Sequence, residues 1–327
     1  KDTFKPFKPS MIASPSPYKC GQGISAWSKD AQTMFGACMR ILNDQFRRCL
    51  KPHVVLDNRM TRDEMKGRLT KAMEACVLGS LNGVTDFKMY DSQQDLFTQA
   101  IERNMLKRLG ASSEFVELYF SYRANYVIQG DHTRGRATLE KTSGEPATLL
   151  LNTIIALVLS NFILRGNGPV AMAGKGDDGL KRQANLKISE KNVAMIALHT
   201  KIEMEAYVQS GAEFCGLSIV DGKIVENIPR KLNKIFGHRF RDYKHFTEFQ
   251  ASLRNWVQDV NKDDEILTVA VNSKLFNTTY SEMMSVLDSV KSFSHIDKAA
   301  FDDNFLLREE PVAHPVMDDG KLKVIPL

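Results

Sequence analysis

Two adjacent aspartates, Asp177 and Asp178, stand between Gly176 and Gly179 in the stretch AGKGDDGL (173–180). Neighbouring like charges repel, so the pair needs bulk water or a cation. Asp and Gly are turn residues, and a solvated turn is the plain reading of such a pair. The chemical reading is a divalent-metal site, because hard cations such as Mg²⁺ take carboxylate oxygens. Lys175 and Lys181 flank the pair and are expected to offset part of its charge. Two other stretches bear on the choice. In DFKMYDSQQ (86–94), Asp86 ends an apolar run and Asp91 follows five residues on. Alone, that stretch reads as an exposed strand end and a helix N-cap. In TSGEPATLLLNT (142–153), Ser143, Gly144 and Pro146 form a flexible loop, and a helix carries Asn152 and Thr153. Alone, that is an ordinary capped helix entry. Phosphoryl transfer to a sugar hydroxyl joins the three, since it uses two Mg²⁺ ions about 3.5–4 Å apart clamping the attacking and leaving oxygens. Carboxylates from two strands must converge on them. Asp86 and Asp177 are the candidates. The Ser-Gly loop can then touch template or nucleotide, and an Asn on the helix behind it can read a ribose hydroxyl.

The elements that would position these residues follow from the hydrophobic pattern. Met34, Cys38, Ile41 and Leu42 fall at helical spacing within 26–50, and GVTDFKMYD (83–91) reads as a strand ending in a turn. DLFTQAIERNMLKRL (95–109) predicts an amphipathic helix burying Leu96, Phe97, Ala100, Ile101 and Leu109 and stopped by Gly110. A further helix fits 114–128. Residues 147–164, ATLLLNTIIALVLSNFIL, approach the length of a membrane span. Their Thr148, Asn152, Thr153, Ser160 and Asn161 argue instead for a helix buried in a large protein, where each polar group needs a local purpose. GPVAMAGKGDDGLKR (168–182) predicts a hairpin with the aspartates at its tip. A helix near 190–199 and strands near 201–207 and 214–226 follow, then mostly helix, then a loose tail over the last dozen residues. Strands alternating with helices, then helices alone, predict an α+β core with a helical C-terminal part.

Composition sets outer bounds. The 327 residues are 43% hydrophobic and 25% charged with net charge +5, which fits a globular chain and permits an anionic partner. Five cysteines without C-x-x-C spacing argue against a disulfide framework or zinc cage and for a reducing compartment. The seven histidines form no H-E-x-x-H pattern. Residues 1–19 are Pro/Ser-rich with four lysines against one acid.

The motifs in this order resemble the viral RNA-dependent RNA polymerases of the alphavirus-like supergroup, most of all the hepatitis E virus (hepe-like) type. YKCGQGISAWSK (18–29) looks like the segment after that family's basic fingers motif. DFKMYDSQQ resembles motif A, SGEPATLLLNT motif B, KGDDG motif C, HTKIEME (199–205) motif D and EFCGLSIVDGKIV (213–225) motif E. The resemblance runs over residues 1–236, with Ala147 standing where relatives often have Gly. It implies an α+β, right-hand polymerase: partial fingers over 1–80, a palm with an antiparallel sheet over 81–228 with a finger insertion at about 110–140, and a helical thumb and tail over 229–327. It implies that Asp86 and Asp177 bind two Mg²⁺ (or Mn²⁺) ions with Asp178 assisting. Asp91 and Asn152 would sense the ribose 2′-hydroxyl. Ser143, Gly144 and Thr148 would position nucleotide and template, and Lys1 and Lys19 would face the triphosphate. Lys201 would be a general acid for pyrophosphate, with Lys187 and Lys191 as neighbouring claimants. The implied partners are RNA template and product, nucleoside triphosphates, and capping and helicase domains of one polyprotein. No transmembrane segment is expected, and the implied location is host cytoplasm at membrane-associated replication complexes. The basic fingers motif falls at residue 1, so upstream finger residues are expected to be missing from this chain.

Other readings fare worse. A P-loop fails because five residues, not four, separate Gly168 from Gly174, and Gly176 replaces the Mg²⁺-holding Ser/Thr. GQG (21–23) is a lone dinucleotide-site fragment without its helix. A reverse transcriptase is disfavoured by Gly176 before the Asp pair and by the Ser-Gly/Asn motif. A non-catalytic RNA-binding scaffold with the same fold is the rival from another class. RKLNKIFGHRFRDYK (230–244) holds six Lys/Arg and one acid. A helix there would set Lys231, Lys234, His238 and Arg241 opposite Leu232, Ile235, Phe236 and Phe240. Such a face is either simply solvated or an RNA-backbone track.

Overall fold

The computed structural model describes residues 27–57, 59–88, 90–124, 126–129, 134–137, 141–142, 144–262, 264–305, 314–318 and 321–325. Lys1, Lys19 and Ser143 therefore lie outside the described residues. Helix α1 (Lys29–Cys49) begins at Ser28, whose hydroxyl accepts the Ala31 N–H at 3.3 Å. It buries Phe35, Met39, Leu42 and Phe46, while Met34 and Ile41 are exposed. The inward stripe is thus rotated by one residue from the predicted one. Phe35 decides the rotation, packing edge-on to Phe115 and Tyr119.

Strand β1 (Val54–Leu56) leads to α2 (Arg62–Glu74), which opens with a capping box of Thr61 and Glu64. Strand β2 (Leu81–Phe87) follows, then α3 (Leu96–Arg108) and α4 (Ser113–Ala124). Helix α3 reverses the predicted face. Leu96, Phe97 and Ala100 are exposed, Ile101 and Leu109 are half-buried, and Thr98, Gln99, Glu102 and Leu106 are buried. The cause is Glu102, which turns inward to meet buried cations. Helix α4 stops at Ala124, short of the predicted 128, because Tyr126–Gln129 forms β3 and pairs with β4 (Arg134–Ala137).

Helix α5 (Thr148–Ile163) feeds directly into β5 (Leu164–Lys175), which turns back into β6 (Asp178–Ile188). Then come α6 (Glu190–His199), β7 (Met204–Gln209) and a three-stranded meander of β8 (Gly211–Phe214), β9 (Leu217–Val220) and β10 (Lys223–Glu226). The single strand predicted over 214–226 is broken by two tight turns, one with Cys215 and Gly216 and one with Asp221 and Gly222 at positive φ. The C-terminal part is helical: α7 (Ile228–Phe236), α8 (Tyr243–Lys262), α9 (Glu265–Phe276), α10 (Tyr280–Phe293) and α11 (Lys298–Phe305). The expected loose tail instead pairs as β11 (His314–Asp318) and β12 (Lys321–Ile325).

The main sheet runs β1-β5-β6-β2-β7. It is antiparallel except at its edge, where β1 lies parallel to β5. Helix α5 covers one face, packing Ile155, Leu159 and Ile163 on Phe87, Leu164 and Leu186. On the other face Met65 and Leu69 of α2 meet Val84, Ala173 and Leu180, together with Leu217 and Ile219 of the meander. A separate core of Leu253, Trp256, Val269, Leu287 and Val290 holds the C-terminal helices.

The polar residues of α5 each have the local partner expected of them. The Thr148 hydroxyl donates to the Thr142 carbonyl at 2.6 Å, and Asn161 accepts from the Lys181 ammonium at 2.9 Å. The Ser160 and Thr85 hydroxyls bond at 2.6 Å. Thr153 accepts the Gly176 N–H at 2.8 Å while donating to the Leu149 carbonyl. Asn152 joins a charged network described below. The helix sits so close that a Cβ on Gly179 would collide with the Thr85 hydroxyl and lie 2.7 Å from that of Ser160. Gly179→Ala is therefore expected to destabilise the fold by about 1–3 kcal/mol, the usual cost of overpacking. Urea unfolding midpoints of the two proteins measure it.

Candidate active site

The β5–β6 hairpin closes with a two-residue loop, Gly176 and Asp177, between the paired residues Lys175 and Asp178. Gly176 takes φ +58°, the left-handed first position such a turn favours. Next door, Thr85 of β2 pairs with Gly179 of β6. One step further, at the same end of the sheet, Asp86 stands beside Asp178. Side chains alternate along a strand, so Asp86 shares the face of Val84, toward the meander. The structure thus brings the three aspartates to one end of the sheet, all exposed.

Their charges are managed differently from the sequence expectation. Lys175 reaches away to Asp57 at 2.7 Å. Lys181 is buried and bonds Asn161 and the Leu164 carbonyl, so it does not face the aspartates. The cation that most offsets Asp178 is Arg230, at the start of α7. Even so, loss of water around the Asp178 carboxyl raises its pKa, with a further push from Asp86. The Cys215 thiol lies 3.8 Å from Asp178 Oδ2. Burial, and then Asp178, push that thiol up to about 12, so it remains a weak donor to the carboxylate.

The second part of the site lies on the α5 side. Asn152 Nδ2 donates to Asp91 Oδ1 at 2.7 Å. Lys141 Nζ donates to Asn152 Oδ1 at 2.6 Å and is ion-paired with Glu102, which also pairs with Arg123. Arg123 stands 3.8 Å from Glu145, which accepts from the Tyr119 hydroxyl at 2.8 Å. The side chains of Lys141, Glu102, Arg123 and Glu145 are fully buried. Two cations thus face two anions. Burial pulls Lys141 below the ordinary lysine range and lifts Glu145 above the carboxylate range. Burial also opposes the Arg123 charge, but Glu102 and Glu145 outweigh it and hold that group above its usual value.

The remaining expected residues are less engaged. Gly144 forms an isolated bridge beside the network, and the Thr148 hydroxyl is occupied within the loop. Lys201 lies just before β7, whose first residue pairs with Phe87 beside Asp86. Its backbone N–H donates to Asp95 at 3.2 Å, and its ammonium meets no partner among the described residues. Sequence reasoning missed Lys141, Glu102 and Arg123. Charged residues in an apolar-patterned helix and just before the Ser-Gly loop were the available signal.

Between the meander and α8 lies a cleft of about 360 Å³ whose lining includes Arg62, Glu226, Arg230, Lys231, Lys234 and Trp256. Helix α7 ends at Phe236, so His238 and Arg241 are not on it, and Phe236 is 78% exposed. Gly237 stops the helix, and Phe240 is drawn into a different cluster with Phe246 and Phe301. Glu226, at the cleft floor, is matched by Arg62 at 3.0 Å, Lys66 at 3.1 Å and the Trp256 N–H at 2.9 Å. Lys231 lies over the Trp256 ring at 5.0 Å.

A five-stranded sheet thus carries acidic residues at a hairpin tip, is backed by α5 and is flanked by a helical unit. The chain belongs to the RNA-dependent RNA polymerase family, whose sequence profile, described as "RNA dependent RNA polymerase", matches residues 5–302. The chain is 40% identical over 304 residues to the replicase of Beet necrotic yellow vein virus (isolate Japan/S), covering 92% of this chain and 14% of that protein. It is 24% identical over 254 residues to the non-structural polyprotein pORF1 of avian hepatitis E virus (isolate Chicken/California/Meng), covering 77% of this chain and 16% of that one. Its fold matches the crystal structure of the RNA-dependent RNA polymerase of a human picorbirnavirus with a TM-score of 0.58 at 16% identity. That match covers 87% of this chain and 55% of the other. The α+β right-hand polymerase fold is thus shown. The likeness to a plant-virus replicase is stronger than the expected likeness to hepatitis E virus, which is also present.

Burial and the neighbouring Lys234 pull Lys231 down to about 8. A lysine with a depressed folded pKa costs stability while charged, and the folded state sheds its proton first. Wild-type stability is therefore expected to rise from about pH 8 toward the ordinary lysine range, because the unfolded chain binds more protons there. Lys231→Met should flatten that rise in thermal melts taken across the same interval.

Proposed function

We propose that this chain catalyses template-directed RNA synthesis from ribonucleoside triphosphates during viral genome replication. The observation that carries the proposal is the joint placement of Asp86, Asp177 and Asp178 at one end of the sheet with the Asp91–Asn152 pair beside it. Residues 81–228 then serve as the palm with a finger insertion at about 110–140, residues 1–80 as partial fingers, and 229–327 as thumb and tail.

The three aspartates are oxygen donors, the chemistry a hard divalent cation requires. Among the described residues no three His, Cys, Asp or Glu groups yet converge on one point. Mg²⁺ commonly completes its shell with substrate phosphate oxygens and water, so Asp86 and Asp177, with Asp178 assisting, suit two such ions (Mg²⁺ or Mn²⁺). When bound, the ions would neutralise charge on the reacting phosphate and leaving pyrophosphate.

The protein residues do the positioning. Arg230 offsets the charge of Asp178. The Thr153–Gly176 hydrogen bond fixes the hairpin tip against α5. Asp91 and Asn152 bind the nucleotide's 2′-hydroxyl, and a site built around such a bond rejects an analogue that leaves its polar groups unpaired. Ser143, Gly144 and Thr148 are assigned to nucleotide and template, and Lys1 and Lys19 to the triphosphate. Lys201 hands a proton to the pyrophosphate. The RNA strand runs past Arg230 and Lys234, whose charges attract phosphates without reading sequence.

The chain spans about a seventh of the viral proteins it matches. Capping and helicase partners on one polyprotein, and work in host cytoplasm at membrane-associated replication complexes, belong to the same proposal. Among the described residues no helix is long and apolar enough to cross a membrane.

Primer extension on homopolymer templates tests the activity. Asp86→Asn and Asp177→Asn should each abolish extension with the fold intact. Retention of more than about a tenth of turnover, a loss under about 1.4 kcal/mol, removes that residue from the ligand set. RNA binding without extension by the parent chain assigns it to a non-catalytic scaffold, and a preference for deoxyribonucleotides to a reverse transcriptase. Lys234→Ala should weaken RNA binding uniformly across sequences and lower the salt slope by roughly one. Filter binding over a salt series reads that slope.

A further inference from the structure

Lys141 is fully buried, which a lysine tolerates only when its charge is matched. Its ammonium meets the Glu102 carboxylate and the Asn152 amide oxygen. Its main-chain N–H donates to the Asp91 carbonyl at 3.1 Å. One residue therefore holds both Asp91 and Asn152. Tyr90 secures the same place from below, its hydroxyl donating to the Asn152 carbonyl at 3.2 Å.

We propose that Lys141 is a positioning residue for sugar selection, locking and polarising the Asn152 amide so that it can report a ribose 2′-hydroxyl. The inference rests on the reading of Asp91 and Asn152 as the hydroxyl sensor.

The chemistry of the three groups leaves one arrangement. An ammonium only donates and an ionised carboxylate only accepts, whereas an amide does both. With Oδ1 on Lys141 and Nδ2 on Asp91, the amide cannot turn over without placing two donors and two acceptors face to face. Among the described residues, one N–H of Asn152 and one oxygen of Asp91 remain for a ligand. A hydroxyl can accept the first and donate to the second. Deoxyribose can do neither. The charge-assisted bond at Oδ1 also draws electron density from the amide and strengthens its remaining N–H as a donor. Glu102, held in turn by Arg123, keeps the ammonium in place. An ion pair serving rigidity alone would need Glu102 and Lys141, but not the 2.6 Å contact to Asn152.

The test uses the full chain with Mg²⁺ and compares ATP with dATP, by single-nucleotide incorporation and by equilibrium binding. Lys141→Met keeps the length of the side chain and removes its charge. It should narrow the ribo/deoxy ratio roughly tenfold, almost wholly through loss on ATP. Discrimination against a mismatched base should stay as in wild type. Asn152→Ala, run in parallel, should narrow the sugar ratio roughly 10–100-fold. A wild-type ratio in Lys141→Met beside a narrowed ratio in Asn152→Ala overturns the role of Lys141 and leaves the sensor standing. An unchanged ratio in both overturns the sensor, and the proposal with it. Equal loss on ATP and dATP in Lys141→Met shows a merely structural lysine and also overturns the proposal. If Lys141→Met does not fold, Glu102→Asp keeps every charge while drawing the ammonium back from Asn152. A narrowed ratio there supports the proposal, and a wild-type ratio overturns it.

Discussion

Helix α5 lies against the β5–β6 hairpin with no room for a side chain at Gly179, and little at Gly174. That closeness lets Thr153 accept the Gly176 N–H and lets Ser160 meet Thr85 across the sheet. The hairpin tip is therefore held by hydrogen bonds from a buried helix as well as by its own ladder. The same helix carries Asn152 one residue before Thr153. A single rigid element thus sets the distance between the aspartates at the end of the sheet and the Asp91–Asn152 pair. Catalytic geometry is best kept by parts of this kind, whose rotamers are locked by packing.

The charged network beneath α5 is the costly part of the design. Taking ions out of water is expensive, and a buried ion pair often stabilises less than apolar residues of the same shape. Here two cations and two anions, Lys141, Arg123, Glu102 and Glu145, are arranged in alternation. Their value is directional. They hold a polar side chain at one orientation in a place where apolar packing could not specify it.

Around the aspartates the balance is different. The cations nearest in sequence turn elsewhere, Lys175 to Asp57 and Lys181 into the sheet. Arg230, more than fifty residues on, offsets Asp178, and the Cys215 thiol sits beside it. The carboxylates supply oxygen donors at one end of the sheet, which suits a hard cation. The neighbouring cleft gathers Arg62, Arg230, Lys231 and Lys234, while its Glu226 is already satisfied by Arg62, Lys66 and Trp256.

Chemistry and local form could be read from the order of residues alone. The Gly-Asp-Asp-Gly turn, the apolar run ending in Asp86 and the polar residues of α5 announced a hairpin tip, a strand end and a buried helix with duties. Each depends on residues close in the chain, through turn preference and periodicity. The pairing of Asp91 with Asn152 was also legible, through the resemblance to a polymerase family. Tertiary structure decided which face of a helix turns inward. In α1 the stripe shifted by one because Phe35 fills the aromatic core. In α3 apolar Leu96 and Phe97 stay outside because Glu102 must reach Arg123 and Lys141. Periodicity measures apolar spacing and is blind to a buried charge whose partners lie on other elements. The end of α7 at Gly237, by contrast, is a local glycine stop that the basic pattern ran past, and it removes His238 and Arg241 from the expected basic face. The partners of Asp178 and Asn152 were settled by tertiary structure, because electrostatic neighbours are set by distance in space, which the order of residues along the chain does not contain.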